Sequence, residues 1–325
     1  MNQLYKSIGV SKQAFHQKMD RLQLMHSEQQ QLLVLVHQIR EDHPTMGARD
    51  MYFKLMPESM GRDAFEDFCK SENLMSKKTK NWYRTTDSTG VVRFDNLLLD
   101  LIIDHINQVW QSDITYYELS GRFYYITFIL DAYSRKILGY KLSKRLTTEH
   151  TTLPALNMAI IQRMKEEMRL DNLIFHSDGG GQYYDKKFLR LTAKYNIVNS
   201  MCEYAWENGK AERLNGVIKN NYLKHRDINS FEDLQKELDR SVSLYNSEKP
   251  HIGLQRRTPE EFENSYICNG QQTDDEKSTP ELKTQPEGYK YSPPGCGQQT
   301  SESNITLKLK TQRLENNRVK TVNVI

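Results

Sequence analysis

The chain has 325 residues, 37% of them hydrophobic, which is enough for at least one sizeable core and for two or three modules. Its formal net charge is only +3, from 45 Lys and Arg against 42 Asp and Glu, so charge alone announces no nucleic-acid partner; only its placement could. The four cysteines, Cys69, Cys202, Cys268 and Cys296, are far apart, which argues against disulfides and structural zinc, and no stretch suits a signal peptide or a bilayer span, so a cytoplasmic protein is expected.

The first hundred residues read as helices, because apolar residues recur at three and four over Gln30 to Ile39 and Ala64 to Leu74. In LYKSIGVSKQAFHQKMDRL, Gly9 marks a turn and Ser11 suits the N-cap of a helix that opens with Lys12, which is helix-turn-helix grammar. A second round follows over 44–75, where Gly47 and Gly61 separate short helical stretches and Arg49 supplies a cation. A plain helical bundle with a solvated charged face accounts for the same pattern. Residues 76–95 are basic and polar, with Lys78 and Lys80 ahead of Trp82 and Tyr83. Such a segment suits either a linker along a phosphate backbone or a solvated connection.

From Val109 the pattern changes to strands. VWQSDIT, FYYITFILD and KILGYKLS are rich in β-branched and aromatic residues, are separated by turns, and predict an antiparallel meander. A helix over about 148–168, the strand NLIFHSD, a helix over about 185–195, a strand near 197–201 and a helix over about 208–223 follow. The outcome is an α/β domain, a mixed five-stranded sheet flanked by helices in the order used by RNase H-like folds. A further helix over about 231–245 leads into NSEKPHIGLQRRTPEEF, and after Tyr266 the composition predicts a flexible tail. The expected division is 1–75 helical, helix-turn-helix and DNA-binding, 76–105 basic linker, 106–266 core and 267–325 largely flexible tail.

Asp113 lies mid-strand, where an acid is costly unless a charge pairs with it, and a metal ion is the strongest such partner. Asp178 closes NLIFHSD within HSDGGGQYYD. The glycines there are expected to turn the chain sharply and leave the acid at the sheet rim, and no GxxxxGK[ST] pattern makes them a phosphate cradle. Neighbouring strand ends would bring these two acids together, which implies a raised pKa or a metal. Glu212, on a helix that Asn208 can cap, faces away from Leu214, Val217 and Ile218 and is the favoured third acid over Glu203, Glu207 and Asp185. Three carboxylates without His or Cys suit Mg²⁺ or Mn²⁺, as a pair of ions. Lys210, Arg213 and Lys219 beside them read as a nucleic-acid track or as an ordinary charged helix face. His176 shares a side of its strand with Asp178 and either meets metal or phosphate or positions the turn. Trp110 and Trp206 read as packing residues, and Asp131 and Arg135 bracket a turn, where an Asx-type cap or an ion pair is expected.

The ordered runs VWQSDITYYEL, LDAYSRKILGY, HSDGGGQY, ENGKAERLNGVIKNNYL and YNSEKPHIGLQRRTPEEF resemble the integrase-like core of bacterial insertion-sequence transposases, in the group that uses two overlapping frames. This chain looks like the catalytic second frame. The resemblance implies a DDE triad at Asp113, Asp178 and Glu212, with the second interval slightly short. It further implies metal-dependent cleavage of element ends, joining of the freed 3′-hydroxyl to target DNA, a homo-oligomer on DNA, and an upstream-frame protein or fusion. A helix-turn-helix regulator with an inactive core and an RNase H-like nuclease are the alternatives.

Overall fold

The computed structural model describes residues 9, 11–76 and 94–272. Lys78, Lys80, most of the expected linker and the expected tail beyond 272 lie outside the described residues.

Three helices come first: α1 (Lys12–Asp42), α2 (Ala48–Leu55) and α3 (Arg62–Ser71). The Ser11 hydroxyl accepts the Ala14 N–H at 3.1 Å and so starts α1 where the sequence placed a cap. Gly47 and Gly61 both stand at N-cap positions, of α2 and α3. Leu32, Val36 and Ile39 of α1 pack with Met51, Phe65 and Cys69 into a small core of their own. The connection over 56–61 is longer than the roughly three- to four-residue turn of a compact helix-turn-helix, and α1 runs unbroken for 31 residues.

The sheet follows the predicted order: β1 (Val109–Leu119), β2 (Arg122–Asp131), β3 (Ile137–Ser143), then α4 (Thr152–Lys165), β4 (Ile174–Ser177), α5 (Lys186–Lys194) and β5 (Val198–Met201). Strand order is β3-β2-β1-β4-β5, antiparallel within the meander and parallel from β1 outward to β5. This is the five-stranded mixed sheet expected of an RNase H-like fold. α6 (Gly209–Val217) runs on into a π-turn at Ile218–Tyr222, and α7 (Phe231–Ser247) and α8 (Pro259–Gln272) complete the described chain. α8 extends past the boundary expected at 266.

Strand alternation divides the core between the two faces. Trp110, Ile129 and Phe175 meet α4 and α5, whereas Ile126, Phe128 and Leu130 meet Ala211, Leu214 and Ile218 of α6 together with Leu234 and Leu238 of α7. α4 can lie close on β3 because residue 139 is glycine: a Cβ there would stand 2.1 Å from the Ala155 carbonyl oxygen and 3.0 Å from the Ala159 nitrogen, both backbone atoms. Gly139→Ala is therefore expected to lower the unfolding free energy by about 1–3 kcal/mol. A lower urea midpoint at unchanged slope would show it; an unshifted midpoint would mean that the helix slides freely on the strand.

At the β2–β3 turn, Asp131 accepts the N–H groups of Tyr133 (2.8 Å) and Ser134 (3.0 Å) on one oxygen and that of Asn107 (2.7 Å) on the other, the capping role its sequence context suggests. His251, Arg256 and Arg257 are structural in the same sense. His251 packs edge-on against Tyr245, Arg256 pairs with Asp50, and Arg257 donates to the Leu254 carbonyl.

Candidate active site

The parallel register of β1 on β4 pairs Gln111 with His176 and Ser112 with Ser177, so the next residues along both strands are Asp113 and Asp178. Neighbouring strands lie about 4.8 Å apart and side chains alternate, so the two acids stand side by side on the face that α6 covers. Their charges interact. The Asp113 carboxyl is pushed up to about 7, first by burial and then by Asp178, with a smaller contribution from Glu212. Burial also raises Asp178, and Glu212 is raised by burial and by Asp178. The same negative field helps to push the buried Cys202 thiol up to about 12, burial being the larger cause.

Four ties hold this arrangement. Asp178 accepts the Gly180 N–H at 3.1 Å, and a Cβ on Gly180 would come within 3.1 Å of the same carboxylate oxygen. None of Gly179, Gly180 and Gly181 has positive φ, so the expectation of a turn needing that freedom is corrected: glycine at 180 gives the acid room. Tyr183, buried beneath the sheet, meets the Ser112 hydroxyl at 2.9 Å, which ties the turn after Asp178 to the residue before Asp113. From α6, Asn215 donates to Asp113 Oδ2 at 2.8 Å and Asn208 donates to the Ser112 carbonyl at 2.9 Å. Asn208 therefore does not cap α6 through its side chain, as the sequence suggested, but clamps the helix onto β1.

Glu212 sits in the first turn of α6, exposed as a residue but with its carboxyl partly desolvated and within the field of Asp178. Among the described residues, no three His, Cys, Asp or Glu side chains converge tightly enough to hold a metal ion as they stand. Two of the three rival acids, Asp185 and Glu207, have other partners. Asp185 caps α5 by accepting the Lys187 N–H at 2.8 Å, and Glu207 accepts the N–H groups of Glu203 (2.7 Å) and Tyr204 (3.1 Å).

The expected DNA-facing cations divide. Lys12 and Arg213 are exposed, and Arg49 is exposed but paired with Glu66 at 3.0 Å. Lys210 is half-buried with its ammonium on the Ala132 carbonyl at 3.0 Å, and burial, then Arg135, lowers its pKa to about 8. Lys219 is half-buried, 3.5 Å from the Tyr116 carbonyl and beside the Tyr116 ring. His176 is fully buried with Nδ1 2.9 Å from the Ser200 hydroxyl, and burial lowers its pKa to about 4. Trp110 is buried as expected; Trp206 is not, being 73% exposed. Tyr183 and Asn215, and the reach of Asn208 to β1, escaped sequence reasoning, since no local pattern marks a partner so far away in the chain.

Residues 104–205 match the family described as integrase core domain, and residues 194–259 match a second family of that description. Residues 104–259 thus match integrase core domains. Over 169 residues the chain is 30% identical to a putative transposase for insertion sequence element IS986/IS6110 of Mycobacterium tuberculosis (strain CDC 1551 / Oshkosh), covering 51% of this chain and 60% of that protein. It is 28% identical over 183 residues to the transposase InsF for insertion sequence IS3A of Escherichia coli K12, covering 55% and 62%. The core is thus similar to those of bacterial insertion-sequence transposases, and the match spans less than two thirds of the length of these relatives. The HTLV-2 integrase catalytic core domain, solved in complex with magnesium, aligns at 21% identity over 48% of this chain and 95% of that one, with a TM-score of 0.37. No described helix is long and apolar enough to cross a membrane.

Proposed function

We propose that this chain is a DDE transposase that cleaves insertion-sequence ends and joins their 3′-hydroxyls to target DNA. The observation that carries this reading is the pair of adjacent carboxylates at parallel strand ends, with Asp113 driven to about 7 by burial and by its like-charged neighbours. Buried acids that repel one another are an arrangement a divalent cation relieves, and an all-oxygen donor set suits Mg²⁺ or Mn²⁺. Asp113 and Asp178 fit such a site as they stand. Glu212 would join them by turning from solvent toward the strand ends. When bound, a pair of ions activates the attacking water or hydroxyl and stabilises the leaving oxygen.

The chain's own groups prepare that chemistry. Asn215 fixes the Asp113 carboxylate, Gly180 leaves space for that of Asp178, and Asn208 bonded to β1 and Lys210 bonded to the turn after β2 hold α6 against the sheet so that Glu212 enters from a fixed helix. Arg213, exposed beside Glu212, is placed to meet a DNA phosphate. In this reading the helices of 1–75 recognise the element's ends, with Lys12 and Arg49 among their cations, the 76–105 segment with Lys78 and Lys80 follows the DNA backbone, and Lys219 contributes positive potential from within. Copies of the chain assemble on DNA in the cytoplasm, with an upstream-frame product as a further partner.

The test is strand transfer by the purified chain on DNA carrying the element's terminal repeats, with Mg²⁺ or Mn²⁺ and with EDTA. Joined product is expected only with the metal, and is expected to vanish in Asp113→Asn, Asp178→Asn and Glu212→Gln. Product that persists in any of the three overturns the assignment of that residue, and persistence in all three overturns the reading.

A further inference from the structure

Trp206 and Tyr204 form a parallel stack, ring centroids 4.4 Å apart and planes 5° apart, with 73% and 47% of their surfaces exposed. Aromatic side chains of this size usually bury most of their area, so two held in solvent face to face call for an explanation. The segment is not a loose loop. The Cys202 N–H donates to the Ser177 carbonyl at 3.0 Å, beside Asp178, and Asn208 donates to the Ser112 carbonyl at 2.9 Å, beside Asp113. Between these anchors Glu207 folds back onto the N–H groups of Glu203 and Tyr204, fixing the short helical turn Ala205–Asn208 that presents the rings. A rigid, flat, apolar surface is thus hung from the two backbone positions that adjoin the paired carboxylates.

We propose that Tyr204 and Trp206 are a stacking surface for an unpaired DNA base next to the phosphate at the carboxylates, a proposal that rests on the reading of the chain as a DNA-joining enzyme. A π-face receives any base, whichever its sequence, whereas a paired base inside a duplex offers no free face. Glu203 and Glu207 on the same segment carry negative charge, so the segment is unsuited to follow a phosphate track, and its ring faces are what it presents. Opening the terminal base pair and docking one base here would free the strand end to bend toward Asp113 and Asp178.

Two sources could supply the base, the element's end or a distorted target, and both are tested with the full-length chain in Ca²⁺. One short duplex carries 2-aminopurine as an unpaired terminal base, a second carries it in an interior mismatch, and a third has it fully paired. The wild-type chain is expected to quench the fluorescence of the unpaired probe and to prefer that duplex to the paired one. Trp206→Ala should weaken binding of the unpaired probe by about 5- to 150-fold and abolish the preference, with Trp206→Phe recovering part of it. Quenching at the terminus alone assigns the base to the element's end, and quenching at the mismatch alone assigns it to the target. A wild type that binds and joins DNA but shows neither quenching nor preference overturns the stacking surface and leaves the enzymatic reading standing. Equal weakening of all three duplexes by Trp206→Ala, with an unchanged circular dichroism spectrum, also overturns it. A wild type that binds no duplex overturns both.

Discussion

Asp113→Asn is expected to stabilise the protein at pH 8 while ending strand transfer. Burial and the like charges of Asp178 and Glu212 lift the Asp113 carboxyl from 3.8 to about 7, so the folded chain binds that proton more tightly than the unfolded chain does. Below pH about 4 the group is protonated in both states and contributes no penalty. As pH rises from about 4 to about 7 the unfolded chain releases the proton and the folded chain resists, so the wild type loses stability across that window and carries the full penalty above it. About three pKa units at about 1.4 kcal/mol each give an upper value of roughly 4 kcal/mol. Asparagine has no charge to confine and keeps most of the shape. Denaturant unfolding in EDTA should therefore show a gain of about 2–4 kcal/mol at pH 8 that disappears by pH 4. An equal gain at both pH values would trace the effect to packing, and no gain at pH 8 would show that the carboxylate is not strained. A site that is less stable for holding its charges together is the expected signature of one built to bind a cation.

That strain is legible in outline in the sequence. An acid in the middle of VWQSDIT and another closing NLIFHSD suffice to suggest a meeting, because parallel strands in this topology end at one rim and the strand period fixes which side chains share a face. The elements themselves were legible for the same reason: β-branched runs between short turns leave few alternatives. The ties that make the site rigid were not. Tyr183 reaches Ser112, Asn208 reaches the Ser112 carbonyl and Asn215 reaches Asp113, each across a sequence distance that no local pattern encodes. The glycines after Asp178 suggested backbone freedom, but the structure uses the missing Cβ of Gly180 as space. Trp206 suggested packing because tryptophan usually packs; the Glu207 carboxylate, by folding back on its own segment, holds the turn that presents the ring to solvent.

Glu263→Gln is expected to be the most destabilising single change away from the carboxylates, by about 3–5 kcal/mol. Glu263 is buried and accepts from both terminal nitrogens of Arg163, at 2.8 and 2.6 Å, from the Ser134 hydroxyl at 2.6 Å, and pairs with Lys136 at 3.0 Å. Burial works to raise its pKa, yet Arg163 and Lys136 hold it below the ordinary carboxylate range. Removing its charge leaves the fully buried Arg163 guanidinium with Asp131 at 3.5 Å and Glu166 at 2.8 Å as its remaining ionic partners. If the loss is that of an uncompensated charge, it should be insensitive to salt, unlike a surface pair, and replacing Arg163 as well, in Arg163→Met with Glu263→Gln, should recover a substantial part of it. Strictly additive single and double variants would show instead that the two residues act independently. The consequence reaches the site. Glu263 on α8 fastens the 131–136 turn, the Ala132 carbonyl in that turn receives Lys210, and Lys210 opens the helix turn that carries Glu212. Strand transfer by Glu263→Gln, measured below its unfolding midpoint, is therefore expected to fall further than the folded fraction accounts for, because the third acid loses its fixed approach before the chain unfolds.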